Sequence, residues 1–120
     1  MGVNVGVRGW VDCVDGQEAL VREIIDRYDD AFYSRGWSTL TGPNGSVCVF
    51  YCGTIREEAT DWLLNQVRAI AILPPPTDPE DRIRGLFLVH HEVHGMQEWQ
   101  VRDGQLVAAP VPERYDYLYA

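Results

Sequence analysis

The chain has 120 residues, enough for one domain around one core, and its 46% hydrophobic and 23% charged residues are an ordinary globular composition. Its 18 acids face 10 basic residues for a formal charge of −8, and every one of the ten is arginine. An acidic surface of this size repels phosphate backbones and anionic lipid, so nucleic acid and membrane are excluded as partners, while a basic protein is drawn in.

From Val3 to Val14, Val3, Val5, Val7, Gly9, Val11 and Cys13 share one parity, and Asn4, Arg8 and Asp12 take the other. The alternation predicts a half-buried strand with Trp10 on its second face. Asp15 and Glu18 have capping-box spacing and predict a helix start. Behind them Leu20, Val21, Ile24, Ile25, Tyr28 and Phe32 recur every three to four residues, opposite Arg22, Glu23, Asp26, Arg27, Asp29 and Asp30, which is an amphipathic helix. Ser34 to Gly45 holds Gly36, Gly42, Pro43 and Gly45 and reads as a loop, and Val47 to Cys52 reads as a central strand. Thr54 with Glu57 repeats the capping spacing and opens a second helix on Ile55, Ala59, Trp62, Leu63, Val67 and Ile70, ended by Pro74, Pro75 and Pro76. Residues 74–82 form a proline-rich acidic connector. Strands follow over about Arg84 to Val93, Gln97 to Arg102 and Gln105 to Ala109, with turns at His94-Gly95 and Asp103-Gly104. The second is a two-residue hairpin signal, since both positions tolerate positive φ. Residues 111–120 are a C-terminal tail.

The order β-α-β-α-β-β-β over a single domain, 1–120, predicts an α+β two-layer sandwich: a mixed sheet of about five strands with two helices packed on one face. A right-handed crossover would make the first two strands parallel, and the last three would form an antiparallel meander. The other sheet face stays partly open, with Trp10, Trp99 and Phe87 as its candidate side chains.

The densest group of potential ligands is His90-His91-Glu92-Val93-His94. It is one residue short of the helical zinc signature, and its surroundings read as strand. On a strand His90, Glu92 and His94 share a face, which leaves a two-His-one-carboxylate site geometrically open. The expectation here is a solvated sheet face ending at a turn, with no metal. Cys48 and Cys52 lie about 13 Å apart along a strand, too far for a disulfide, and with Cys13 they are expected as buried thiols in a reducing cytoplasm. Met1-Gly2-Val3-Asn4 lacks the basic and apolar regions of a signal peptide, and no apolar run reaches the roughly 20 residues of a membrane span. No nucleophile, phosphate loop or shifted acid pair points to catalysis, so neither an enzyme nor a cofactor is expected.

Acids gather in three groups: Asp26, Asp29 and Asp30; Glu57, Glu58 and Asp61; and Asp78, Glu80 and Asp81. The helical acids have Arg22, Arg27, Arg56 and Arg68 near them in sequence, whereas the connector and tail have less compensation. Aromatic side chains anchor protein interfaces. The candidate partner-binding residues are therefore Asp78, Glu80, Asp81, Trp37, Trp99, Tyr115, Asp116, Tyr117 and Tyr119, facing a basic partner, with a weak homodimer as the other association.

Gly9-Trp10 on the first strand, Tyr51-Cys52-Gly53 before a helix, Arg84-Gly85-Leu86-Phe87-Leu88-Val89-His90-His91-Glu92, and Glu98-Trp99-Gln100-Val101-Arg102-Asp103-Gly104-Gln105-Leu106 together resemble the seventh catalogued family of immunity proteins of bacterial polymorphic toxin systems. The likeness spans roughly residues 7 to 110, and departs at His90-His91-Glu92, where that family tends to be acidic. It implies a small α+β inhibitor that binds and neutralises a cognate toxin, with Gly9, Trp10 and Gly85 as fold determinants and no catalytic residues. A basic nuclease toxin would suit the charge. The alternative, from the open sheet face, is a small-molecule-binding or regulatory α/β domain.

Overall fold

Strand parity builds the core. In the computed structural model, which describes residues 2–14 and 16–119, strand β1 (Asn4–Cys13) buries Val5, Val7, Val11 and Cys13, the side read from its valines. Helix α1 (Gln17–Arg27) follows, then β2 (Trp37–Thr41), β3 (Val47–Arg56), helix α2 (Thr60–Ala71), and the meander β4 (Arg84–His91), β5 (Gly95–Arg102) and β6 (Gln105–Pro110). Short 3-10 turns occupy Tyr33–Gly36, Glu57–Ala59, Pro79–Asp81 and Glu113–Tyr119. Val47, Val49, Tyr51 and Ile55 of β3, Phe87 and Val89 of β4, and Trp99 and Val101 of β5 join the β1 side chains. Val21 and Ile24 of α1 and Leu63, Val67, Ile70 and Ala71 of α2 close this core from one side. The architecture is an α+β two-layer sandwich.

The sheet has six strands in the order β2-β3-β1-β4-β5-β6, and all its pairings are antiparallel. The expected parallel pairing of the first two strands fails for one reason. The segment read as a loop contains β2, and one additional strand reverses the direction in which the chain re-enters beside β1. Glycine and proline punctuate Gly42 to Gly45, but Trp37-Ser38-Thr39-Leu40-Thr41 between them has strand-forming side chains.

Local starts and stops also moved. Asp15 lies outside the described residues; Gly16, with φ of 89°, caps α1 without a side-chain bond. Gln17 does the reaching back. Buried at 1% exposure, it accepts from Val14 N–H at 2.8 Å and donates to the Asp81 carbonyl at 2.8 Å, tying the helix start to the connector. Thr54 and Ile55 belong to β3, which runs on to Arg56, so the second helix begins at Thr60 and Thr54 caps nothing. Leu20 and Phe32, expected on the inner stripe, are exposed, because α1 ends at Arg27 and its buried face is narrower than the pattern. Asp103 and Gly104 have φ of 54° and 74°, as their hairpin turn requires. Gly9 and Gly85 fit their implied structural role: a Cβ on Gly9 would strike the Leu86 carbonyl and Phe87, and one on Gly85 the Trp10 carbonyl.

Candidate functional site

The acid groups are redistributed by the fold. Trp62 of α2 donates its indole N–H to the Tyr28 carbonyl at 2.8 Å, and the Arg56 amide donates to the Tyr33 hydroxyl at 3.2 Å. These bonds carry the end of α1 to the start of α2, so Asp26, Asp29 and Asp30 come to the same end of the molecule as Glu57, Glu58 and Asp61. Glu92 is there too, its carboxylate accepting from Asn4 N–H at 2.8 Å. Arg22 and Arg27 are engaged one turn back by Glu18 at 2.7 Å and Glu23 at 3.7 Å. Among the described residues no arginine lies within ion-pair distance of Asp26, Asp29, Glu58 or Asp61. Asp29 accepts from Ala31 N–H at 2.8 Å, while Asp30 takes the amides of Phe32 and Ser34 and the Ser34 hydroxyl. Slight burial works upward on the Asp30 carboxyl, but these donors outweigh it and hold it ionised below its ordinary value.

The connector stands at the opposite end. Asp78 takes the Glu80 amide at 2.9 Å and starts a short turn, and Arg84 donates to the Glu80 carbonyl at 3.0 Å. Arg82 and Arg84 line a depression together with Glu80 and Asp81. Glu80 and Asp81 thus have Arg82 and Arg84 nearby, yet Asp78, Glu80 and Asp81, like the helix-end acids, make no ion pair with arginine among the described residues.

The histidine cluster also differs from its expected form. A turn begins at Glu92, ending the alternation that would set His90, Glu92 and His94 on one face. Instead His91, His94 and Glu57 present ligand atoms within 4.8 Å of one another. His91 Nδ1 accepts the amides of Val93 at 3.1 Å and His94 at 3.0 Å, which places the ring proton on Nε2, where it is donated to Glu57 at 2.5 Å. A metal on Nε2 would need that proton moved to Nδ1, at the cost of both amide bonds. The arrangement is a clasp fastening the β4–β5 turn to the start of α2. Glu57 is 34 residues from His91, so no local motif could have announced it.

One of the anchors read from sequence is misplaced. Trp99 is 1% exposed inside the core, because its parity on β5 matches Phe87 on β4. Trp37 is half-buried; its indole donates to Gln66 at 3.1 Å, and its ring packs edge-on against Tyr51 and Phe87. The open face instead presents Trp10, Phe50 and Leu40, with Trp10 opposite both Phe50 and Leu86. Cys48 and Cys52 share this face, half-buried and exposed, so only Cys13 is a core thiol. The tail folds back onto it: Tyr119 stacks on His90 at 4.3 Å with the Arg8 guanidinium 5.1 Å from its ring. Tyr117 is 72% exposed, Asp116 is exposed and Tyr115 half-buried beside Arg114. No helix among the described residues is long and apolar enough to cross a membrane. Comparison of the chain with protein-family models, with curated proteins and with solved structures finds no match.

Proposed function

We propose that the chain is an immunity protein, which binds a cognate bacterial toxin domain of basic charge in the cytoplasm and holds it inactive by occluding its active site. The observation that supports this most is the convergence of Asp26, Asp29, Asp30, Glu57, Glu58 and Asp61 on one end, with most of those carboxylates free of arginine. Such a surface accelerates encounter with a basic partner and penalises wrong ones. Against a nuclease, the carboxylates stand where substrate phosphates would lie. The depression on the open sheet face beside Tyr119 is about 170 Å³, below the roughly 300–1,000 Å³ usual for small-molecule sites, and the larger one, about 570 Å³, is lined by Arg82, Arg84, Arg102, Glu80 and Asp103 and so is charged, not apolar.

The test is co-expression with the toxic C-terminal domain encoded beside the gene. Survival and a co-eluting complex on gel filtration are expected, with the double variant Asp29→Lys, Asp61→Lys losing protection. Continued killing, with no complex formed, overturns the proposal.

A further inference from the structure

β2 is an edge strand, paired to β3 alone, and its sequence, Trp37-Ser38-Thr39-Leu40-Thr41, contains neither a charge nor a proline. Edges of that composition are open templates for another strand. The direction of its backbone groups follows from the hairpin. Gly42 N–H bonds the Ser46 carbonyl at 2.7 Å, and hydrogen-bonded pairs alternate along an antiparallel ladder, so Leu40 and Ser38 bond inward to β3. Thr39 and Thr41 therefore turn both N–H and C=O outward. Trp37 turns only its carbonyl outward, since its amide is held by the Ser34 carbonyl. Five backbone groups stand ready on one line.

A groove runs beside that line. Two depressions of about 300 and 330 Å³ share Ile25, Asp26 and Ser34 in their walls: the first lies between α1 and β2, closed by Trp37 and Thr39 with Arg22 at its side, and the second lies between the end of α1 and the turn before β2, closed by Asp29 and Arg35. Thr39 is paired with buried Val49, so a residue laid opposite it would point its side chain to the helix side, into the space beside Ile25 and Trp37. The next residue on that side meets Asp26 and Asp29, neither of which has an ion-pair partner among the described residues, with Arg35 in the same wall and Arg22 engaged by Glu18 at 2.7 Å.

We infer that the outer edge of β2 with the α1 groove binds an extended basic segment of a protein partner by strand addition. Main-chain bonds to Thr39 and Thr41 supply the register, an apolar side chain fills the space by Ile25, and arginine or lysine meets Asp26. This rests on the proposed partner being basic, and it names the surface and the conformation by which it is held. At the sheet's other edge, β6 ends in Pro110, which blunts it.

The probe is a fluorescein-labelled hexapeptide of alternating arginine and valine, with alternating glutamate and valine as its counterpart. The basic peptide should bind about tenfold or more tighter than the acidic one, and protect the Thr39 and Thr41 amides from hydrogen exchange. Thr39→Pro removes an outward N–H without touching the ladder to β3, and Asp26→Lys alters only an exposed helical side chain; each should weaken binding by about tenfold. Equal binding of both peptides, unprotected amides, or full affinity in a folded Thr39→Pro chain overturns the inference. A toxin complex that survives Thr39→Pro removes this edge and leaves the immunity reading standing. Peptide bound at β2 without protection from any toxin upholds the edge and removes that reading.

Discussion

On β3, Cys48 donates its thiol hydrogen to Asp12 at 2.8 Å, while Cys52, on the same face, is exposed. The bond to Asp12, followed by desolvation and the charge of Asp12, pushes the Cys48 thiol up to about 11. Burial, then Asp12, does the same to Cys13, also about 11. A raised value means the thiolate forms only as pH climbs towards it, so brief iodoacetamide treatment at about pH 8 should modify Cys52 first. Cys48 should follow as pH rises, and Asp12→Ala should bring its alkylation to lower pH; mass spectrometry of the modified peptides reads all three sites. Equal labelling of Cys48 and Cys52 at pH 8 would contradict the bond. That Cys48 and Cys52 share one side of a strand follows from their spacing, but which side that is does not. Val47, Val49 and Tyr51 form a run with Cys48 and Cys52, and an uninterrupted apolar stretch does not declare which parity faces the helices.

The elements legible in the chain were those whose pattern is internal: the valine alternation of β1, the stripe of α1 through Val21 and Ile24, and the meander with its Asp103-Gly104 turn. Those that escaped depend on a distant partner. β2 is a strand because β3 pairs with it, β3 extends through Thr54 because β1 runs opposite, and Trp37 and Gln66 explain each other only when 29 residues apart become neighbours. The helix start belongs to this class too, since buried Gln17 serves both Val14 and Asp81. Replacing it with alanine leaves an amide and a carbonyl unpaired, which should cost about 2–4 kcal/mol of stability, read as an earlier urea midpoint. An unchanged midpoint would mean that water replaces both bonds.

For the whole molecule, the sequence conveyed the acidity and the two-layer class but not where the charge would collect. With a net charge of −8 and few ion pairs to screen, added salt should relieve repulsion among the end carboxylates. The melting temperature should therefore rise between about 0.05 and 0.3 M sodium chloride, while association with a basic partner slows over the same range. A fall in melting temperature would show attractive pairs to dominate. The position of β1 adds a consequence of another kind. It is made before the other five strands of its sheet, yet it lies in the middle, with Val5 opposite Ile55 on one side and His91 on the other. The β2–β3 hairpin and the β4–β5–β6 meander can each assemble from near neighbours, but neither joins the other except through β1. Folding is governed by those long loop closures and is expected to be slow, on the order of milliseconds to seconds. During synthesis a valine-rich strand waits unpaired on both edges until most of the chain has emerged, and in that interval aggregation competes with folding.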